Sequence, residues 1–285
     1  MSGLPVTVVT VVHGRHDHLR RQHASLAAGT IRPDRVVVVA MGDPVVRDVL
    51  AGGPLADRTE VLDLSAGRRL RLALARNTGA AHAFARSALG LAVFLDVDCL
   101  ADPGLLGGYL DAWRRTAEHA GPRLLSGPVA YLDPPSPGGY TAEDLARSVP
   151  HPGRPAPAPG DLLRADDLRL FWSLSFATDA ASWSRIGGFD EAYDGYGGED
   201  TDLGQRAAVA GAVMWWVGGA RAYHQWHPVS DPPVEHVEDI VRNANLFHER
   251  WGWFPMDGWL TAFAERGLAA LDEERPSWRV LRSAG

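Results

Sequence analysis

Four runs of aliphatic and β-branched residues punctuate the first hundred positions: PVTVVTVV (5–12), RVVVVA (35–40), the weaker TEVLDL (59–64) and LAVFLDVD (91–98). Two stretches of helical composition lie between them, HLRRQHASLAAG (18–29), closed by Gly29, and RLRLALARNTGAAHAFARSA (69–88). A strand that is apolar at every position cannot leave either face in water. Such strands separated by helices predict an α/β fold, Rossmann-like, with a mostly parallel sheet covered on both faces. Ligands of these sheets bind beyond the carboxyl ends of the strands. Asp96 and Asp98 close the fourth run, so the pattern already puts two acids at the ligand edge.

The second half is less regular. LLGGYLDAWRRTAEHA reads as a helix and RLLSGPVAYL (123–132) as a strand. Residues 133–160 are dense in Pro and Gly and predict an irregular, mobile excursion. A helix (TDLGQRAAVAGA), a strand (AVMWWVG) and a long helix near the C-terminus (VEHVEDIVRNANLFHERWG) follow. The chain of 285 residues suits a single domain with a helical C-terminal extension. No apolar run reaches the roughly 20 residues that span a bilayer, so no integral membrane segment is expected. The N-terminal apolar stretch lacks a preceding basic segment and reads as a strand, not a signal peptide. The single cysteine, Cys99, fits a reducing, cytoplasmic setting. Every basic side chain is arginine, and the formal net charge is −7 without a basic block, which argues against nucleic acid as a partner.

Four groups of residues carry chemistry. Asp96-Val97-Asp98, read as the end of an extended strand, projects two carboxylates to one face. Their repulsion calls for a cation, and a divalent ion with oxygen ligands is the usual answer. The segment GGFDEAYDGYGGEDTDL (187–203) joins two glycine pairs to Glu199, Asp200 and Asp202 at a helix start. One acid would suffice as a cap; three acids beside Phe189, Tyr193 and Tyr196 suggest a site, with a carboxylate suited to general base work. AYHQWHP (222–228) offers His224 and His227 as ligands for a borderline divalent ion. ARNTGAAHAFA (75–85) places Arg76 and Asn77 near a helix start, where a phosphate or a base can be received.

The order of these pieces, A-R-N-x-G, D-x-D, G-G-F-D-E with G-G-E-D, then His, resembles the GT-A glycosyltransferases of the family 2 kind. The 187–203 segment is similar to the C-terminal module of galactosyl- and N-acetylgalactosaminyltransferases. The resemblance covers roughly residues 5–230 and implies a metal-dependent hexosyltransferase. It would move a sugar from a UDP-sugar to an acceptor hydroxyl, with inversion. Asp96 and Asp98 would hold Mn²⁺ or Mg²⁺ on the donor diphosphate, and His224 or His227 would complete the metal site. Asp200 would be the base, with Glu199 beside it. His13, Arg15, Asp63, Arg76 and the stretch Asp96, Val97, Asp98 would contact the nucleotide sugar. Tyr196, Gly197, Gly198 and Trp172 would line the acceptor side. The acceptor would be a glycan, a lipid-linked intermediate or a small molecule. Residues 1–110 would form the nucleotide-sugar-binding half, 111–230 the acceptor-binding half and 231–285 the helical extension. One departure stands out: Met41 occupies the position after the second strand where the family commonly has an acid, leaving Asp43 nearby. A nucleotidyltransferase and a non-catalytic sugar-nucleotide or carbohydrate-binding module are the alternatives. The first lacks its Gly-rich basic loop in VVHGRHDHL; the second would use some of the ten tryptophans as stacking platforms.

Overall fold

The computed structural model describes residues 4–65, 67 and 69–282. The outermost three residues at each end of the expected domain bounds therefore lie outside the described residues.

The first half alternates as its sequence predicts. β1 (Val6–Val12), α1 (His16–Ala27), β2 (Arg35–Met41), α2 (Val46–Leu50), β3 (Thr59–Leu64), α3 (Leu72–Arg86) and β4 (Leu91–Leu95) follow one another. Strands β3, β2, β1 and β4 lie side by side in that order, all parallel. The alternation of side chains along a strand divides the core in two. Val8, Val12, Val36 and Val38 join α1 on one face; Val9, Val11, Val37 and Val39 join α3 on the other. Neither face is left for water, which is why β1 carries no alternating polar residues.

The remaining strands extend and then leave this sheet. A turn leads from β4 to β5 (Cys99–Ala101), then to α4 (Leu105–Arg115), β6 (Arg123–Ser126) and β7 (Val129–Tyr131). The strand expected over 123–132 is thus broken. Its first half joins the large sheet and its second half a smaller one. Gly127 sits at the break, where a Cβ would meet the Ala220 carbonyl oxygen at 1.8 Å. The Pro/Gly-rich stretch is more ordered than its composition predicts. It holds α5 (Ala142–Arg147), with a Thr141/Asp144 capping box, and β8 (Val149–Pro150).

Beyond it come β9 (Leu162–Arg164), β10 (Ser175–Asp179), α6 (Ala180–Ile186), α7 (Glu199–Val209), β11 (Val213–Val217) and β12 (Ala222–His224). β10 runs antiparallel between β4 and β6; β11 and β9 complete an eight-stranded sheet. The small sheet has the order β5-β12-β7-β8 and sits at the carboxyl end of β4. The C-terminal extension is α8 (Val237–Trp251) and α9 (Asp257–Glu265), followed by a hairpin, β13 (Ala269–Asp272) and β14 (Ser277–Val280), so it is not wholly helical. It has its own core of Val237, Ile240, Leu260, Phe263 and Trp278. The expected division at 110/111 falls inside α4. No described helix is long and apolar enough to cross a membrane.

Helix α3 is drawn tight against the sheet by Gly79. A Cβ there would lie 2.4 Å from Val9 Cγ1 and 3.3 Å from Val39 Cγ2, both buried and stiff at χ1. Gly79→Ala is therefore expected to destabilise the protein by about 1–3 kcal/mol through overpacking, despite alanine's better helix propensity. A urea unfolding curve with an unchanged or higher midpoint would contradict this close packing.

Candidate active site

At the end of β4 the chain does not stay extended. Cys99 N–H donates to the Asp96 carbonyl at 2.8 Å, closing a turn over 96–99. Fully buried Gln22 of α1 clamps this turn, its Nε2 donating to the carbonyls of Asp96 (2.6 Å) and Cys99 (3.2 Å). The consequence corrects the expectation drawn from a straight strand. Asp96 and Asp98 diverge and take different partners, while Val97 packs its side chain into the core.

Asp98 faces two histidines. β12 pairs antiparallel with β5, and the register sets His224 opposite Cys99. The next residue, Gln225, donates its N–H to the Asp98 carbonyl at 2.6 Å, which holds the chain against the turn as far as His227. Nε2 of His224 and Nε2 of His227 each stand 3.5 Å from Asp98 Oδ2. The three residues present ligand atoms all within 4.8 Å of one another. Two imidazole nitrogens and one carboxylate oxygen suit Mn²⁺ and other borderline divalent ions. Both histidines, not one of the two, belong to the group. Burial alone would push the Asp98 carboxyl up, but the His227 hydrogen bond and the charges of His224 and Arg15 outweigh it and hold it at about 2.

Asp96 instead faces Arg76. This guanidinium, 5% exposed, donates through Nη2 to Asp96 Oδ1 and through Nη1 to Glu199 Oε1, both at 3.1 Å. One buried cation thus ties the turn after β4 to the first residue of α7. Burial disfavours its charge, yet Asp96 and Glu199 more than offset this and raise its pKa. Asp96 is therefore outside the cluster of potential metal ligands, and Arg76 is occupied by acids rather than open to a phosphate.

The glycine-rich loop before α7 is held from two sides. Asn77 of α3 both donates to the Phe189 carbonyl (2.8 Å) and accepts from its N–H (2.9 Å). Asn243 of α8 donates to the carbonyls of Gly197 (2.7 Å) and Tyr196 (3.2 Å). Gly195, Gly197 and Gly198 have φ of 75°, 92° and 91°, in the left-handed region that a side chain resists. Asp200 follows, half-buried, and accepts from Thr201 N–H at 2.7 Å. Burial and the adjacent Glu199 push its carboxyl up to about 7, against the opposing pull of Arg76. Asp202 is fully buried and accepts from Tyr193 and Trp251, a packing role.

The other expected residues divide. His13 Nδ1 contacts the Met41 carbonyl at 2.8 Å, and Asp43 accepts from Gly14 N–H (2.7 Å) and pairs with His16 (2.8 Å). Asp43 thus anchors the loop after β1 although Met41 stands in the usual acid position. Arg15 is close enough to lower the Asp98 pKa. Asp63 does not join the site: it is exposed on the edge strand β3 and engaged by Arg47 at 2.5 Å. Tyr196 stacks on His236 at 4.6 Å, with Trp259 of α9 6.0 Å away. Trp172 packs beside His151 at 4.8 Å. Gln22, Gln225 and Asn243 hold the site in place, and sequence reasoning missed all three. Each is one amide among ordinary helix or loop residues, with no spacing to mark it.

Comparison with known proteins bears on the fold and on the family likeness. Residues 167–227 match the family described as the N-terminal domain of galactosyltransferase. Validoxylamine A glucosyltransferase of Streptomyces hygroscopicus subsp. limoneus is 31% identical over 239 residues, covering 73% of this chain and 49% of that protein. The chain therefore spans about half the length of the curated relative it matches. Among solved structures, GalNAc-T7 with UDP, GalNAc and Mn²⁺ superimposes with a TM-score of 0.58 at 17% identity, over 87% of this chain and 50% of that one. S. aureus TarS 1–349 in complex with UDP gives a TM-score of 0.56 at 14% identity, over 92% of this chain and 70% of that one. The fold is that of the GT-A glycosyltransferases.

Removing the charge of Arg76 leaves buried Glu199 and partly buried Asp96 without a cation. Arg76→Met is expected to cost about 3–5 kcal/mol at neutral pH. Denaturant unfolding of this variant and the parent checks it: a loss under about 1 kcal/mol would mean that the two acids are solvated without Arg76.

Proposed function

We propose that this chain, built on the GT-A fold, is a glycosyltransferase that moves a sugar from a UDP-sugar to an acceptor hydroxyl with inversion at the anomeric carbon. The observation that carries the reading is one of position. Arg76 ties Glu199, the neighbour of Asp200, to Asp96, and the same turn after β4 that carries Asp96 carries Asp98 of the Asp98–His224–His227 group. UDP is favoured as the nucleotide because two structural neighbours are described with UDP bound. The relative's name supports glucose as one sugar class.

Each group then has a role. Asp98, His224 and His227 would hold Mn²⁺ or Mg²⁺, which when bound supplies Lewis-acid stabilisation of the charge on the departing diphosphate. Asp96, fixed by Arg76, keeps the turn and α7 in register. The acceptor oxygen attacks the anomeric carbon, the bond from that carbon to the phosphate oxygen breaks, and its electron pair leaves with the diphosphate. Asp200 takes the acceptor proton. Its elevated pKa suits this, since a base near the operating pH both exists ionised and accepts a proton readily. Glu199 has an oxygen committed to Arg76 and therefore positions rather than abstracts. Tyr196 and Trp172 form the acceptor-side walls, with Gly197 and Gly198 allowing close backbone approach. His13 and Arg15 border the nucleotide. In this reading residues 1–110 serve the donor and 111–230 the acceptor.

Two measurements test the proposal. Titration with UDP and Mn²⁺ should raise the melting temperature, because a ligand that binds only the native state stabilises it. Asp98→Ala should lose the metal-dependent part of that rise. Asp200→Asn should keep the rise while transfer falls by about 10²–10⁴-fold; transfer by Asp200→Asn at the parent rate would show that the base lies elsewhere. The pH profile follows from the sign of the Asp200 shift. The ionised form is required, so transfer should climb with pH through about 7 and flatten above it. A limb centred near the ordinary carboxylate range would contradict Asp200 as the base.

A further inference from the structure

Arg154 lies in the turn after β8, within the Pro/Gly-rich stretch, and is 9% exposed. Among the described residues no carboxylate pairs with it, unlike buried Arg76, which has two, or Arg123, which has Asp179. Its Nη2 donates to Ser126 Oγ at 2.8 Å, at the end of β6. Its Nε is buried with no partner. The guanidinium carbon stands 5.0 Å from the Trp172 ring centre and 4.9 Å from that of Trp216. Two indoles screen this cation from water without neutralising it.

A buried charge without a counter-charge is costly, and an orphaned N–H adds to the cost. Burial pushes the guanidinium pKa down to about 10, partly opposed by Tyr131, Tyr109 and Asp200. A chain of rings, His224–Tyr131 at 5.1 Å, Tyr131–His151 at 6.2 Å and His151–Trp172 at 4.8 Å, connects it to the histidine cluster. A planar guanidinium with free N–H groups is shaped to receive phosphate or carboxylate oxygens.

We propose that Arg154, linked to the histidine cluster through Tyr131, His151 and Trp172, is an oxyanion receptor that takes a phosphate or carboxylate group of a substrate. The identity of that substrate rests on the transferase reading: the group is the donor's diphosphate or an acid carried by the acceptor. In either case the incoming anion would supply the counter-charge that Arg154 lacks among the described residues.

Isothermal titration of the full chain with Mn²⁺ tests this, using UDP against uridine and glucose 6-phosphate against glucose. In the parent, at least one anionic probe should bind more tightly than its uncharged counterpart. Arg154→Gln should weaken that anion by about tenfold or more, a loss in keeping with a charge-assisted bidentate contact, and leave uridine and glucose unchanged. Loss for UDP identifies the diphosphate as the source; loss for glucose 6-phosphate with UDP retained identifies an acceptor-borne acid. Arg154→Lys, which keeps the charge but not the fork, should fall between. Parent-level binding of both anions by Arg154→Gln would overturn the proposal, as would a parent that prefers neither anion. Should Arg154→Gln fail to fold, the parent comparison and Arg154→Lys still decide. Glucose 6-phosphate held through Arg154 with no binding of UDP would sink the transferase reading while keeping this one.

Discussion

The guanidinium of Arg76 is the point on which the site's architecture depends. Three elements distant in sequence converge on it: α3 from which it projects, the turn after β4, and the first residue of α7. Buried Glu199 and partly buried Asp96 would otherwise stand as like charges without a counter-charge between them. With Arg76 between them they become a bridge. The bridge is short on slack, because α3 is pressed to the sheet at Gly79 and Asn77 grips the loop that leads into α7. Position therefore passes from the packed core to Asp200 through contacts that leave little freedom.

The same constraint explains why the two acids of D-x-D behave differently. A tight turn, clamped by Gln22, rotates Asp96 toward α3 and Asp98 toward the small sheet. One becomes part of the scaffold. The other meets His224 and His227. The small sheet makes that meeting possible, since β12 reaches back to pair with β5 immediately after the turn.

Much of this was legible in the sequence, and the reasons are physical. Strands apolar on both faces announce a covered parallel sheet, and β1 to β4 follow. Acids clustered with glycines exceed what a helix cap needs, which marks 187–203. The illegible parts are those where local pattern carries no information. β12 and β5 are three residues each, too short for a period, so the pairing that brings His224 to Asp98 is a tertiary fact. Asp63 occupies the expected place on its strand, but β3 is at the sheet edge and Arg47 claims its carboxylate. Arg154 sits among prolines and glycines whose composition reads as loop, and nothing local signals that its side chain is buried between two indoles. The antiparallel insertion of β10 is equally invisible, because a short buried strand looks the same in either direction.

The site also shows how one fold gives the same chemical group opposite properties. Asp98 and Asp200 are both desolvated carboxylates near other charges. Asp98 has imidazoles and Arg15 around it and stays ionised, held at about 2. Asp200 has Glu199 beside it and only partial relief from Arg76, and rises to about 7. Environments that drive two acids apart in this way separate a group suited to holding a cation from one suited to exchanging a proton. The separation does not come from the side chains themselves. It follows from the partners of each: His227, His224 and Arg15 around Asp98, and Glu199 beside Asp200, with Arg76 engaged by Asp96 and Glu199.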